Sequence, residues 1–430
     1  MQPDRLTCYA ISYCLLFAAP LFAANNRKIN VNEHGFAQAV VVQGKALAHT
    51  TQLLPTTGSG KVIKGDLQQQ TVQVIKNLKS VLEDVGSGLN QLVRLNVYVA
   101  YAADVPELKQ ILKKQLTGRV HPAVTIVVTP LSNSTALLAV DAIAAVADTD
   151  ADTDTDADTD AVTDAVTVAV TDGKASTRVT YHHCPSIAGK KNSAHVSILP
   201  KGGVVYISGM ADRSKDLAAA TLGTMQQLEG VLKLLGLNKS HVISVKAFMK
   251  PMSNSSAADD AIARFFEGQT VPPVSLVEWT NGLPIEIEMV AAYPQLKEQP
   301  TGLQHRWQPK EKHSPVYCRF ATVNHATRIY ISGLQSRSQT DADEQVRDIF
   351  KQLQTTLRAS DSDLQHLVKA TYYVAADDVS KALNVVRPEL YNPKRPPAAS
   401  KAGVKSTGDA QRTITIDMIA IPTSSTKRVQ

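Results

Sequence analysis

Gly203-Val-Val-Tyr-Ile-Ser-Gly-Met210 is the stretch that decides the fold, because a close copy returns as Arg328-Ile-Tyr-Ile-Ser-Gly-Leu334. A fainter third copy is Leu47-Ala-His-Thr-Thr-Gln52, with Thr50-Thr51 standing where the others carry Ser-Gly. Each is an alternating apolar run that stops at a small-residue step, the pattern of a strand entering a turn. After each come a helical pattern, a strand, a second helical pattern and closing strands. The helix in the first unit places Ile75, Leu78 and Leu82 on one face. Met225, Leu228 and Leu232 follow at an offset of 150, and Phe350, Leu353 and Leu357 at a further 125. A period above 100 residues means tandem domains rather than a solenoid.

The boundaries follow from the patterns: units at 28–146, 178–293 and 313–422, linkers at 147–177 and 294–312, and a polar tail at 423–430. The first linker is low-complexity Asp-Thr-Asp-Ala, whose nine aspartates repel one another and leave nothing to bury. Carboxylates spaced by two also suit calcium, but the glycines that would turn such a loop around the ion are missing. No metal site and no cofactor is expected. At the N-terminus Arg5 precedes an apolar run, Ala10 to Ala24, that reads as an export signal over residues 1–24. The expected destination is periplasmic or secreted, with no membrane attachment once the signal is removed.

Composition narrows the function classes. The chain has 430 residues, 43% hydrophobic, enough for several cored domains. Its net charge is +6 even though the Asp-rich segment carries nine negative charges, so the remainder is strongly basic. The lysines and arginines are scattered, however, and aromatics are only 5%, which disfavours nucleic acid as a partner. Gly58-Ser-Gly-Lys61 invites a phosphate-loop reading, but Pro55 and Val62 stand where that motif needs glycine and Ser or Thr. Outside the signal only Cys184 and Cys318 remain, and one disulfide between them stays open.

The ordering of elements and the stretches Tyr206-Ile-Ser-Gly209, Tyr330-Ile-Ser-Gly333 and Leu283-Pro-Ile-Glu-Ile-Glu288 resemble the RidA (YjgF) family. The resemblance implies an α+β, chorismate-mutase-like fold, each domain a sheet with two helices on one face. Family members assemble as trimers with clefts between neighbours. Three such domains on one chain therefore suggest an intramolecular pseudo-trimer, favoured by high effective concentration. It also implies a small-molecule ligand and an enamine or imine deaminase-like hydrolysis in the clefts.

Relatives with that activity hold the substrate carboxylate with the arginine of Pro-Ala-Arg-Ser, whose forked guanidinium donates two parallel hydrogen bonds. The matching segments here are Pro122-Ala-Val-Thr125, Pro272-Pro-Val-Ser275 and Pro397-Ala-Ala-Ser400, so Val124, Val274 and Ala399 replace the anchor. The family glutamate of the closing strand remains as Glu286 alone, opposite Ala139 and Thr415 in the other units. The resemblance offers Glu286 as the catalytic residue and Ser208, Gly209, His195, Ser332, Gly333 and Phe36 as substrate-binding residues, with Phe320 a further candidate for the ring that Phe36 represents. Read without the family, Glu286 and Glu288 share one face of a strand, either solvated or lining a cleft. Three functions stay open: a hydrolase, an exported non-catalytic binding or scaffolding protein, and an RNA-binding or endoribonuclease-like protein.

Overall fold

A computed structural model of the chain describes residues 26–147, 178–190, 192–294, 302–339 and 341–423. The expected export signal, nearly all of the Asp-rich linker and the polar tail beyond residue 423 lie outside these.

The first unit contains β1 (Asn26–Val31), β2 (Ala37–Gln43), β3 (Leu47–Thr50), α1 (Leu67–Glu83), β4 (Leu92–Val99), α2 (Val105–Gln115), β5 (Ala123–Val128) and β6 (Leu138–Ala145). The second repeats the order with β7 (Thr180–His182), β8 (Val196–Leu199), β9 (Val204–Met210), α3 (Leu217–Leu234), β10 (Val242–Met249), α4 (Ser255–Phe265), β11 (Val274–Glu278) and β12 (Ile285–Ala292). The third has β13 (Leu303–Arg306), β14 (Phe320–Val323), β15 (Thr327–Gln335), α5 (Ala342–Ala359), β16 (Leu367–Val374), α6 (Asp377–Leu390), β17 (Ala398–Gly403) and β18 (Ile414–Ala420). One expectation needs correction: β13 lies inside the segment read as the second linker. Its sequence, Leu-Gln-His-Arg, carries no strand pattern of its own, and pairing with β14 makes it a strand.

The offsets of 150 and 125 extend from the helix faces to the caps. Asp66, Asp216 and Asp341 each accept a backbone N–H at the start of α1, α3 and α5, satisfying one of the donors that a helix start leaves open. The long helices bury the predicted faces against the sheets, among them Leu78 and Leu82, Leu228 and Leu232, and Leu353 and Leu357. No helix among the described residues is long and apolar enough to cross a membrane. Cys184 and Cys318 are both buried free thiols.

In each unit four strands keep one order: β5-β4-β6-β3, β11-β10-β12-β9 and β17-β16-β18-β15. The leading hairpin of each unit lies elsewhere. The β7–β8 hairpin of unit 2 adds to β3 of unit 1, β13–β14 of unit 3 adds to β9 of unit 2, and β1–β2 of unit 1 adds to β15 of unit 3. These pairings form a closed cycle. Only Gly44 to Ala46 separate β2 from β3, a length that would also suit a hairpin between them, yet the amide of Gly44 is bonded to the carbonyl of Ala326 in unit 3. The backbone bonding that caps the exposed edge of one sheet is thereby supplied by another unit.

Candidate functional site

The exchanged hairpins build three clefts, each from the small-residue step of one unit and the hairpin and fifth-strand segment of the next. In the first, Gln52 donates its amide to the carbonyl of Val274 at 3.0 Å, and the amide of Thr51 bonds the carbonyl of His195 at 2.8 Å. In the second, the Ser208 hydroxyl donates to the carbonyl of Cys318 at 2.6 Å and accepts the amide of Ala399 at 2.7 Å. In the third, Gly333 sits so close to Val124 that a Cβ would collide with the Val124 carbonyl, and its φ of +63° already favours glycine. All three replaced anchor positions therefore face a strand end of another unit.

The expected site residues do not form one constellation. His195 belongs to the first cleft, Ser208, Gly209 and Glu286 to the second, and Phe36, Ser332 and Gly333 to the third. His195, Ser208 and Glu286 all belong to unit 2 in sequence, but the hairpin of that unit carries His195 onto unit 1. Register also revises the aromatic position. Ala37 pairs with Ala123 and Cys318 bridges Ala398, so the counterpart of Phe36 is Tyr317; Phe320 lies in the core of unit 2.

The first cleft, about 460 Å³, is mostly apolar, with Leu53, Ile187, Ile262 and Leu276 among its walls. His195 accepts the Cys184 amide at Nδ1 (3.0 Å) and stands 4.4 Å from the His183 ring. Burial, then the neighbouring His183, lowers its pKa, so it is a neutral imidazole with the proton on Nε2.

The second cleft holds the chemistry-bearing carboxylates. Glu286 packs directly against Gly209, which has no side chain to obstruct it. Burial, reinforced by the charge of Glu288, pushes the Glu286 carboxyl up to about 7, against the opposing pull of Lys369, Ser400 and Arg319. Glu288 goes the other way. Burial would raise it, but Lys369 and Lys246 hold it below the usual range, with Lys369 Nζ at 2.6 Å. Two carboxylates on one strand face thus hold different protonation states near neutral pH, the separation that acid–base chemistry needs. Ser400 hydrogen-bonds both glutamates and accepts the Gly209 amide at 3.2 Å. Arg319 donates Nη1 to the Gly209 carbonyl at 3.3 Å and is paired with Glu311.

Ser208 is fully buried and its hydroxyl is committed on both sides, so it clamps the two units and positions Gly209. Sequence reasoning missed Arg319, Ser400 and Lys369. A signal existed for two of them: Thr125, Ser275 and Ser400 follow the offsets of 150 and 125, as do Arg94, Ser244 and Lys369. The closing strands likewise carry Asp141, Glu288 and Asp417 at one structural position, each accepting from the hydroxyl of the next unit, Ser275, Ser400 and Thr125 respectively. A cavity of about 80 Å³ touches all three carboxylates together with Arg94, Lys246 and Lys369.

Comparison with known proteins identifies the class. The profile described as Endoribonuclease L-PSP matches residues 30–146, 190–293 and 312–422. A RutC family protein of Pyrococcus abyssi is 31% identical over 88 residues, 20% of this chain and 68% of that protein. The mitochondrial protein mmf1 of Schizosaccharomyces pombe is 31% identical over 88 residues, 20% of this chain and 54% of that one. Among solved structures, a Rid family protein of unknown function from Yersinia pestis, YyfB, is 27% identical with a TM-score of 0.24, covering 28% of this chain and 99% of its own. A YjgF family member from Neisseria meningitidis, NMB1025, is 19% identical with a TM-score of 0.22, covering 28% and 96%. The chain belongs to the Endoribonuclease L-PSP family, also called RidA or YjgF, and carries three tandem domains of it.

Proposed function

We propose that the chain hydrolyses a small imine or enamine, and that the reaction is confined to the cleft between units 2 and 3. The observation that carries the reading is Glu286, a half-buried carboxyl with a pKa of about 7 beside the Gly209 backbone and Ser400. An acid–base group titrating near the working pH both takes and returns a proton efficiently. Ionised Glu286 removes a proton from water as the water oxygen bonds to the imine carbon and the C=N π pair moves to nitrogen. The proton is then returned to that nitrogen, and collapse of the carbinolamine gives a carbonyl compound and ammonia. Lys369 and Arg319 supply positive charge in this cleft, where Ala399 replaces the family anchor.

Ala139 and Thr415 occupy the Glu286 position in the other clefts and offer no group that titrates near neutral pH. The test is an imine generated in a coupled assay from serine or threonine, with loss of the imine followed on the purified chain. Acceleration that vanishes in Glu286→Gln is expected; no acceleration over buffer across several imines would refute the proposal. Mixed-sequence RNA, incubated in parallel at low ionic strength, is expected to stay intact.

The same reading treats the three domains as an intramolecular pseudo-trimer, supported by the closed cycle of hairpin pairings. Small-angle scattering of the folded body should give a radius of gyration of about 22–25 Å, as for one compact particle of this length. An elongated profile of three separate beads would contradict it.

A further inference from the structure

We infer that the cleft between units 3 and 1 is a second, non-catalytic site that binds a small organic or inorganic anion through Lys109 and Arg412. The cleft encloses about 330 Å³, at the lower end of the range for small-molecule sites. The family anchor and glutamate are both gone from it, as Val124 and Thr415. Its charge is nevertheless positive: Lys109, Arg337 and Arg412 line it against the single carboxylate Glu33. Neither cation stands at a site position that the family resemblance offered: Lys109 lies on α2 of unit 1 and Arg412 in the turn before β18 of unit 3.

Three buried polar atoms in this cleft have no partner within the protein: the Ser332 hydroxyl, Nδ1 of His34 and Nε of Arg412. Ser332 is 96% buried, being 4% exposed, and it lines the cleft. Buried donors left unmatched are costly, and an anion supplies the acceptor oxygens that Ser332 and Arg412 lack. Arg412 is only loosely held by Asp409, at 3.4 Å, leaving guanidinium capacity for a ligand. The Lys109 ammonium makes no ion pair with a described residue. Burial lowers its pKa, with Arg412 adding to the shift and Asp409 and Glu33 opposing it. The inference does not depend on the chemistry proposed for Glu286, which lies in another cleft.

Isothermal titration calorimetry on the intact chain at low ionic strength tests it with succinate, inorganic phosphate and the neutral analogue succinamide. One site per chain is expected for succinate or phosphate, with succinamide at least tenfold weaker and binding weakened by added salt. Preference between the two anions assigns the ligand to the carboxylates or the phosphates. Lys109→Met and Arg412→Met should each weaken anion binding about tenfold or more, and Arg412→Lys should restore part of it. Equal binding of succinamide, no heat from either anion at millimolar concentration, or binding unchanged in both methionine variants would overturn the inference. Calorimetry reads binding directly, so its outcome stands whether or not the chain hydrolyses imines.

Discussion

Lys369→Met should cost about 3–5 kcal/mol of stability at pH 8, the range for removing one partner of a buried ion pair. Lys369 is 5% exposed, and its ammonium lies 2.6 Å from Glu288 and 3.1 Å from the Ala370 carbonyl. Methionine keeps most of the stem, so the loss is the charge. Glu288 is then left in the interior with its main counter-charge gone, and only Lys246 remains among the cations that lowered its pKa. Its folded pKa should rise above the unfolded value of about 4.3. A raised pKa stabilises only while the group is protonated. The deficit of the variant should therefore be small near pH 4 and widen as the pH climbs through the new folded value. Urea unfolding at pH 5 and pH 8 measures this, and Lys369→Met combined with Glu288→Gln should recover part of the loss. A variant within about 1 kcal/mol of the parent at pH 8 would show that the pair contributes little.

The consequence reaches the proposed site, because Lys369 is also the largest influence lowering the Glu286 pKa. Without it, the protonated form of Glu286 should persist to higher pH, and any pH limb of activity due to Glu286 should move upward. Glu288 thus serves the interface, and Glu286 the cleft. The interface role recurs in each unit, as Asp141 with Ser275 and Asp417 with Thr125. Both are hydroxyl–carboxylate bonds made only when the neighbouring unit is in place.

Much of the fold was legible because it depends on local pattern. Helix faces, capping aspartates and the alternating strands repeat at offsets that survive divergence in side-chain identity. The hairpin exchange was not legible. A run such as Ala37 to Gln43 bonds equally well to any free antiparallel edge, and nothing in its composition selects β15 of unit 3 over its own β3. That is why His195 and Glu286, which share one unit in sequence, fold into different clefts. Glu286 could be found from the family pattern, but its pKa depends on burial, on Glu288 beside it, and on Lys369, Ser400 and Arg319 from unit 3. Arg319 had no repeat signal: its structural counterparts are Gln38 and His195, so a guanidinium at that position occurs in one unit only.

Glu286→Gln should make the chain more stable than the parent above pH 7, by about 2–3 kcal/mol, while sharply slowing hydrolysis. In the folded chain the carboxyl is raised from the ordinary 4.5 to about 7, mainly by burial. Its stabilising contribution is therefore fully present below about pH 4.5 and is lost as the pH rises through about 7. Glutamine is uncharged throughout and keeps the size of the side chain, so the variant does not suffer that loss. The two stability profiles should meet near pH 5 and separate toward pH 8.5 in urea unfolding; parallel profiles would mean that Glu286 titrates as a solvated carboxyl. Activity should show the opposite side of the same titration. The ionised form is the one that accepts the proton from water, so the parent's rate should rise with a limb near pH 7. The glutamine variant should lose about 10²–10⁴-fold at every pH, the usual contribution of a positioned acid–base group. A carboxyl kept where its ionised form destabilises the fold is difficult to account for as packing alone, since Ala139 and Thr415 fill the same strand position in the other two units without a charge.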